Sequence, residues 1–456
     1  MSDKEYILAL EEENLQLKEA IKLLTDKVAF LTNLIQTSHV KKDSHNSSMP
    51  PSSDFAKPNQ SLRTKSDRKS GGQNGHTGNT LKMSSNPDKH IVIKDSFCKA
   101  CGNNLSGEIF YLQSKRQIVD IPPTVPVYTE YQQMACRCSK CGKKSLAAYP
   151  NDAKAAIQYG TNIQTFIAYL SVYQSVPYFR LKKLLEQMFS LSISEGTIEN
   201  ILNRVAKKCR VVYNQIKTEI GKSAVIGSDE TGCKVNSKKH WMWVWQNAIN
   251  TFIVPSHNRG FETIQSVFAD GLPNATLVCD RWAAQLKMMT KNNQICLAHL
   301  QRELVFLEET EKLPFATSFK ELISSIYKLK QSHLENGKAC IKGDEKSLEI
   351  EKQLSDLLLI PICKDKAAKT LVFQNSMLKN HAAILPCIYS LDIPPDNNAS
   401  ERAIRIIKVK QKVSGQFKTG QDAFAIIRSV IDTLKKRGLD IMTNFKVILD
   451  LKTIPE

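Results

Sequence analysis

The strongest constraint on how this chain folds is a pair of short apolar runs that each end in acid. The first is Ala224-Val225-Ile226-Gly227-Ser228-Asp229-Glu230-Thr231, and the second is Ala275-Thr276-Leu277-Val278-Cys279-Asp280. Between them lie Trp241-Met242-Trp243-Val244-Trp245 and Phe252-Ile253-Val254, both strand-like, and then Phe261 to Phe268, whose apolar spacing is helical. Three consecutive strands, a helix and a fourth strand are therefore expected, with Asp229 and Asp280 each closing a strand.

That order is the one found in RNase H-like α/β domains, where the first and fourth strands are neighbours, so Asp229 and Asp280 are expected at one edge of the sheet. Two carboxylates meeting there repel unless a cation lies between them. Hard oxygen ligands suit Mg²⁺ or Mn²⁺. A third acid is offered far downstream, in Asp396-Asn397-Asn398-Ala399-Ser400-Glu401-Arg402-Ala403-Ile404-Arg405. Asn397 or Asn398 is a candidate helix cap, and Glu401 and Arg405 share a face at i, i+4. Glu401 would point at the metal, with Arg402, Arg405 and Lys408 near substrate phosphates. Taken alone, Glu401 and Arg405 also read as an ordinary surface salt bridge, and Asp280 as a strand-end cap. Cys296 and His299 could ligate a metal with partners elsewhere; simple packing and hydrogen bonding is the favoured reading of that pair.

The N-terminal half divides by grammar. Ile7, Asn14, Ile21, Val28 and Ile35 are spaced by seven, as are Leu10, Leu17, Leu24 and Leu31. They form the a and d positions of a parallel two-stranded coiled coil over 1–40, in which Asn14 fixes register at a cost in stability. A lone amphipathic helix packed on its own domain is the alternative. Residues 41–90, rich in Ser, Pro, Gly and basic side chains, read as a flexible basic linker. From 91 to 150 two knuckles, Cys98-Lys99-Ala100-Cys101-Gly102 and Cys138-Ser139-Lys140-Cys141-Gly142, predict a structural Zn²⁺ held by Cys98, Cys101, Cys138 and Cys141. Cys136 could replace Cys138. Gln117–Ile121 and Val125–Tyr128 read as strands of a zinc ribbon. Residues 151–220 look helical, with a helix from Tyr178, a turn over Leu191–Ile198 and Ser194 as a cap. A DNA-reading helix-turn-helix fits, and so does any helical hairpin.

Charge narrows the partners. The chain of 456 residues carries 63 Lys+Arg against 45 Asp+Glu, a net +18, which points to a polyanion, nucleic acid before membrane. No uncharged apolar run reaches the ~18 residues of a spanning helix, and the acidic start lacks the order of a secretory signal. A cytoplasmic, nucleoid-associated protein is expected, and reduced thiols agree with metal binding over disulfides.

Together these blocks resemble the DDE transposases of the insertion sequence 66 family, over nearly the whole chain. The similarity runs through the heptads, Asn46-Ser47-Ser48-Met49-Pro50-Pro51-Ser52-Ser53-Asp54, Gly71-Gly72-Gln73-Asn74-Gly75-His76-Thr77-Gly78, and the cysteine module. It continues through Asp229-Glu230-Thr231, Cys296-Leu297-Ala298-His299 and Asp396-Asn397-Asn398-Ala399-Ser400-Glu401-Arg402-Ala403. Two departures stand out. Arg281-Trp282 follows the second Asp where the family usually has Gly-Tyr, and Ile406-Ile407 stands where Pro is common. The resemblance implies a catalytic triad of Asp229, Asp280 and Glu401, with a helical insertion at about 300–395 inside a 221–456 catalytic domain. The whole is then a multidomain α+β protein: coiled coil, linker, zinc ribbon, helical DNA-binding region and RNase H-like domain. The implied function is cleavage and strand transfer of the element's terminal inverted repeats into target DNA by two-metal phosphoryl transfer. The partners implied are DNA, a homodimer or higher oligomer, and small accessory proteins. A catalytically inactive, zinc-containing DNA-binding regulator derived from such an enzyme is the alternative.

Overall fold

The computed structural model describes residues 3–38, 42–43, 45–47, 75, 81–121, 124–150, 153 and 155–450. Helix α1 (Asp3–Ser38) covers the heptad region, and its Leu17, Ile21, Leu24 and Val28 are exposed. Most of the 41–90 linker lies outside the described residues, but its start is anchored. Asp43 Oδ1 accepts the N–H groups of His45 and Asn46, Asn46 Oδ1 accepts that of Asp43, and Asn46 Nδ2 donates to Glu309 Oε2 at 2.7 Å. This reciprocal Asx turn satisfies its own polar groups, so a segment expected to be loose is docked on a helix 263 residues away.

The cysteine module holds one short hairpin, β1 (Ala135–Arg137) against β2 (Lys144–Leu146). The ranges 117–121 and 125–128, read as strands, are not strands here. They are exposed and no neighbouring strand pairs with them, and alternation without a partner ladder leaves backbone groups to water.

Helices α2 (Thr161–Ala168), α3 (Tyr178–Phe189) and α4 (Glu195–Gly221) follow, α2 running into a wider π turn at Tyr169–Tyr173. Ser194 caps α4 as expected, its side chain accepting the Thr197 N–H at 3.0 Å. The sheet has β3 (Val225–Val235), β4 (Lys238–Gln246), β5 (Thr251–Ser256), β6 (Leu272–Cys279) and β7 (Thr290–Ile295), in the spatial order β5-β4-β3-β6-β7. The first three strands run antiparallel; β6 is parallel to β3 and to β7. Helix α5 (Phe261–Val267) makes the crossover into β6, and α6 (Ala283–Leu286) leads to β7.

Beyond β7 come α7 (Leu297–Glu311), α8 (Pro314–Asn336), α9 (Glu345–Leu358) and α10 (Ala368–Lys379), and then α11 (Asn398–Ser414), α12 (Gln421–Lys436) and α13 (Ile441–Asp450). Two apolar cores result. One joins α2–α4, both faces of the sheet and α11–α13, so the expected boundary at 220 runs through packed side chains. The other, around Phe319, Phe373 and Ile388, belongs to α7–α10. Gln294 on β7 stitches this helical unit to the sheet, accepting the Cys387 N–H at 2.8 Å and donating to Ile384 O. The free edge of β5 is covered by α12, whose Ser429 and Thr433 hydroxyls accept the N–H groups of Ile253 and Thr251. That disposes of an edge otherwise open to strand addition.

Candidate active site

Backbone register brings the first two acids together. In the parallel β3–β6 pair, Val225 faces Thr276 and Gly227 faces Val278. Carrying that register two residues further sets Asp229 beside Asp280, just past the last paired residues, on strands about 4.8 Å apart. Burial first, and then the Asp280 charge, push the Asp229 carboxyl well above the usual Asp range, with Glu230 and Glu401 adding to the effect. One oxygen of Asp280 is buried without a hydrogen-bond partner.

Glu401 reaches the same edge from α11. Gly227 is what lets this helix lie against β3: a Cβ there would come within 2.5 Å of Ser400 Oγ and of Gln246 Nε2. Asn397 occupies the N-cap position, yet its side chain makes no cap. It donates instead to Ser228 O at 2.7 Å, while Asp396 Oδ1 accepts the Asn398 N–H. Three further bonds tie the edge together: Cys296 N to Cys279 O, Leu297 N to Pro395 O, and Asn397 N to Cys296 Sγ at 3.2 Å. The start of α7, the end of β6 and the start of α11 are thus laced by main-chain atoms.

Glu401 pairs with α7, not with Arg405. Its Oε1 lies 3.7 Å from His299 Nδ1 and 3.8 Å from Arg302 Nη1. The ligand atoms of Cys296, His299 and Glu401 lie within 4.8 Å of one another. Burial lowers the His299 imidazole and pushes the Cys296 thiol up to about 12, so Cys296 is a packed acceptor at this edge. Arg402 and Arg405 are exposed. Lys408 is half-buried and donates to Gly232 O at 2.9 Å, and burial lowers its pKa.

Glu230, next along β3, points to the opposite face. Its Oε1 takes Nε and Nη2 of Arg259 at 2.8 and 2.6 Å, and Gln285 Nε2 donates to its Oε2 at 3.2 Å. Asp280 is followed by Arg281 at φ 71°, a left-handed conformation that costs a non-glycine residue on the order of 1 kcal/mol. Glu303 holds the Arg281 side chain at 2.8 Å. The glycine usual at this position in the resembled family would adopt the same backbone freely.

The chemistry of the donor set fits a divalent cation: three carboxylates whose charges act on one another, and buried oxygens of Asp280 and Glu401 without hydrogen-bond partners. His299, Arg302, Arg259 and Asn397 were not given these roles by the sequence. The i, i+3 spacing of Cys296, His299 and Arg302 on one helix face was the available signal for two of them.

The two cysteine knuckles have the same internal geometry. Cys98 N–H donates to Asn103 O and Gly102 N–H to Cys98 O; Cys138 N–H donates to Lys143 O and Gly142 N–H to Cys138 O. Gly102 and Gly142 take φ 73° and 68°. N–H groups of Cys101 and Ala100 lower the Cys98 thiol, and those of Cys141 and Lys140 lower the Cys138 thiol. Each knuckle is formed, but Cys98, Cys101, Cys138 and Cys141 do not converge into one cluster of ligand atoms among the described residues.

Residues 156–425 match a family model described as the transposase IS66 family, and residues 7–82 match one described only as a family of unknown function. No curated protein matches the chain at a significant level.

Proposed function

The chain belongs to the IS66 transposase family, and from that premise we propose that it cuts and joins DNA at the edge formed by Asp229, Asp280 and Glu401. The observation that carries this reading is the β3–β6 register that sets Asp229 beside Asp280 on a buried edge, where burial and the charges of Asp280 and Glu401 raise Asp229 and one oxygen of Asp280 has no hydrogen-bond partner. The sheet order and the parallel β3–β6 pairing support an RNase H-like catalytic domain with α7–α10 as its insertion. Asp229, Asp280 and Glu401 would hold Mg²⁺ or Mn²⁺. Held there, such ions would supply an activated water or 3′-hydroxyl and stabilisation of the leaving oxygen.

The protein's own part is placement. Bonds from Cys296 N–H to Cys279 O, Leu297 N–H to Pro395 O and Asn397 N–H to Cys296 Sγ fix the three acids on rigid elements, which favours an in-line geometry over a loop-borne site. Exposed Arg402 and Arg405 on the acid-bearing helix would meet phosphates. Lys408 does so only by giving up its bond to Gly232 O. The substrates are the element's terminal inverted repeats and then target DNA, and the net charge of +18 suits both. The exposed heptad face of α1 supports a dimer or higher oligomer, and the matched knuckles support structural Zn²⁺ on Cys98, Cys101, Cys138 and Cys141. Small accessory proteins of the element would complete the assembly. No helix among the described residues is long and apolar enough to cross a membrane; the proposed setting is the bacterial cytoplasm, at the nucleoid.

The test is cleavage of a duplex carrying the terminal repeat that flanks the gene. Purified protein is expected to nick it at the repeat boundary only with Mg²⁺ or Mn²⁺. Cleavage in a chelator, or none with either ion, contradicts the reading.

A further inference from the structure

The face of β3 that does not carry Asp229 holds a buried polar network around Glu230. The Glu230 side chain is 1% exposed, and its oxygens are taken by Arg259 and Gln285. Gln285 also reaches Ser228 Oγ at 3.3 Å, so it spans two positions of the strand. The Arg259 guanidinium lies 3.8 Å from the Trp282 ring centroid and 4.8 Å from that of Trp241. Trp282 Nε1 donates to Arg259 O at 3.3 Å, and Trp282 O accepts the N–H groups of Gln285 and Leu286.

Trp282 and Gln285, both on the segment that follows Asp280, are where this network meets that segment. That segment needs holding, because Arg281 sits in the left-handed region and no side chain in its own turn favours it. Glu303 holds Arg281 from α7, while Arg259 in the β5–α5 loop packs on Trp282 and Glu230 on β3 accepts from Gln285 of α6. Removing a buried acceptor leaves Arg259 without its charge partner and free to leave the Trp282 face.

We propose that Glu230 and Arg259 are positioning residues for Asp280: they clamp the Asp280–Gln285 turn and so fix the carboxylate of Asp280 opposite that of Asp229. Neither residue touches DNA or metal. This rests on the functional reading above only for its consequence; the clamp itself is a statement about the folded chain. Partners that orient metal-binding carboxylates typically change metal affinity or activity 10–100-fold when lost.

Glu230→Gln, Arg259→Ala and Arg259→Lys in the full-length chain separate the possibilities. Hydrogen exchange read by mass spectrometry needs no metal and no activity. Amides of 280–286 are expected to exchange at least about tenfold faster in Arg259→Ala, with β4, β5 and α12 unchanged, and Arg259→Lys is expected to lie between it and the wild type. Faster exchange throughout the sheet would make the pair a general core element and overturn the proposal, as would no change at 280–286. In cleavage assays the half-saturating Mg²⁺ concentration should rise by about ten- to a hundredfold in Arg259→Ala and in Glu230→Gln, with DNA affinity held. The double variant should be little worse than either single one. A wild type that exchanges as expected but never cleaves DNA would sink the functional reading and leave the clamp standing. A wild type that cleaves, with variants of unchanged Mg²⁺ dependence, would sink the clamp alone.

Discussion

The carboxylate edge and the cysteine module are organised in opposite ways. At the edge, residues far apart in sequence are locked by hydrogen bonds, as when the Asn397 side chain spans to Ser228 O and Leu297 N–H to Pro395 O, and large side chains such as Trp243 and Trp245 are fully buried behind it. In the module most bonds are short-range, within each knuckle and the β1–β2 hairpin, with Gln117 to Ser84 a longer link, and Ile91, Ile109, Ile118, Val119 and Val127 are exposed. Burial of apolar area is what stabilises a domain, and the module has too little of it. The edge can therefore be pre-organised by the fold alone, whereas the module must take its order from a bound ion or partner. Under the proposed function the two metals would have separate jobs: Zn²⁺ as folding energy, Mg²⁺ or Mn²⁺ as chemistry.

The largest effect should come from the edge. Asp229→Ala, Asp280→Ala or Glu401→Ala is each expected to lower cleavage of the terminal repeat by at least ~10²–10³-fold, the loss typical of one transition-state donor, with DNA binding retained. The triple variant should be little worse, since residues acting as one unit are not additive. Strictly additive losses would show three separate roles.

Next in size is the module. Zinc analysis of purified protein should give about one Zn²⁺ per chain, the content of a single Cys₄ site. Cys98→Ser or Cys141→Ser should abolish protease resistance of 91–150 while leaving the melting of 156–450 unchanged. Loss of both regions together would erase the contrast drawn here. Deleting residues 1–40 should reduce the mass by light scattering to that of a monomer without altering either metal site. An unchanged oligomer would mean that α1 packs on its own chain.

The smallest effect is electrostatic. Burial and the Asp280 charge raise the folded pKa of Asp229 above its value of 3.8 in the unfolded chain. The unfolded state therefore releases this proton first, and the stability of metal-free protein falls as pH rises above about 4, by up to about 1.4 kcal/mol per pH unit. Asp229→Asn should remove that slope, so the variant gains on the wild type as pH rises above about 4. A gap that shrinks with rising pH would show the carboxyl to be lowered instead.

Much of this was legible in the sequence for a physical reason: strand-terminal acids and a capped amphipathic pattern are local signals. Asp280 stands just past the end of β6 and Glu401 in the first turn of α11, where pattern put them, but Asp229 lies in mid-strand, because β3 goes on pairing with β4 as far as Val235. What was not legible depends on tertiary partners. Nothing local says that Lys408 donates to the carbonyl of Gly232, that Asn397 forgoes its cap for Ser228, or that Asn46 reaches Glu309. Nothing local sets Glu230 apart from Asp229 in role, and only the fold reveals Arg259 against it. The alternating runs at 117–121 and 125–128 misled because alternation records a preference, and a strand also needs a partner.

The central claim is that three acids share a divalent cation at one edge of the sheet, and the most direct measurement of it is Mn²⁺ binding to the full-length protein followed by electron paramagnetic resonance. The account predicts saturable binding in the wild type, lost in Asp229→Asn, Asp280→Asn and Glu401→Gln and untouched in Cys98→Ser. Binding by Asp280→Asn equal to that of the wild type would contradict it.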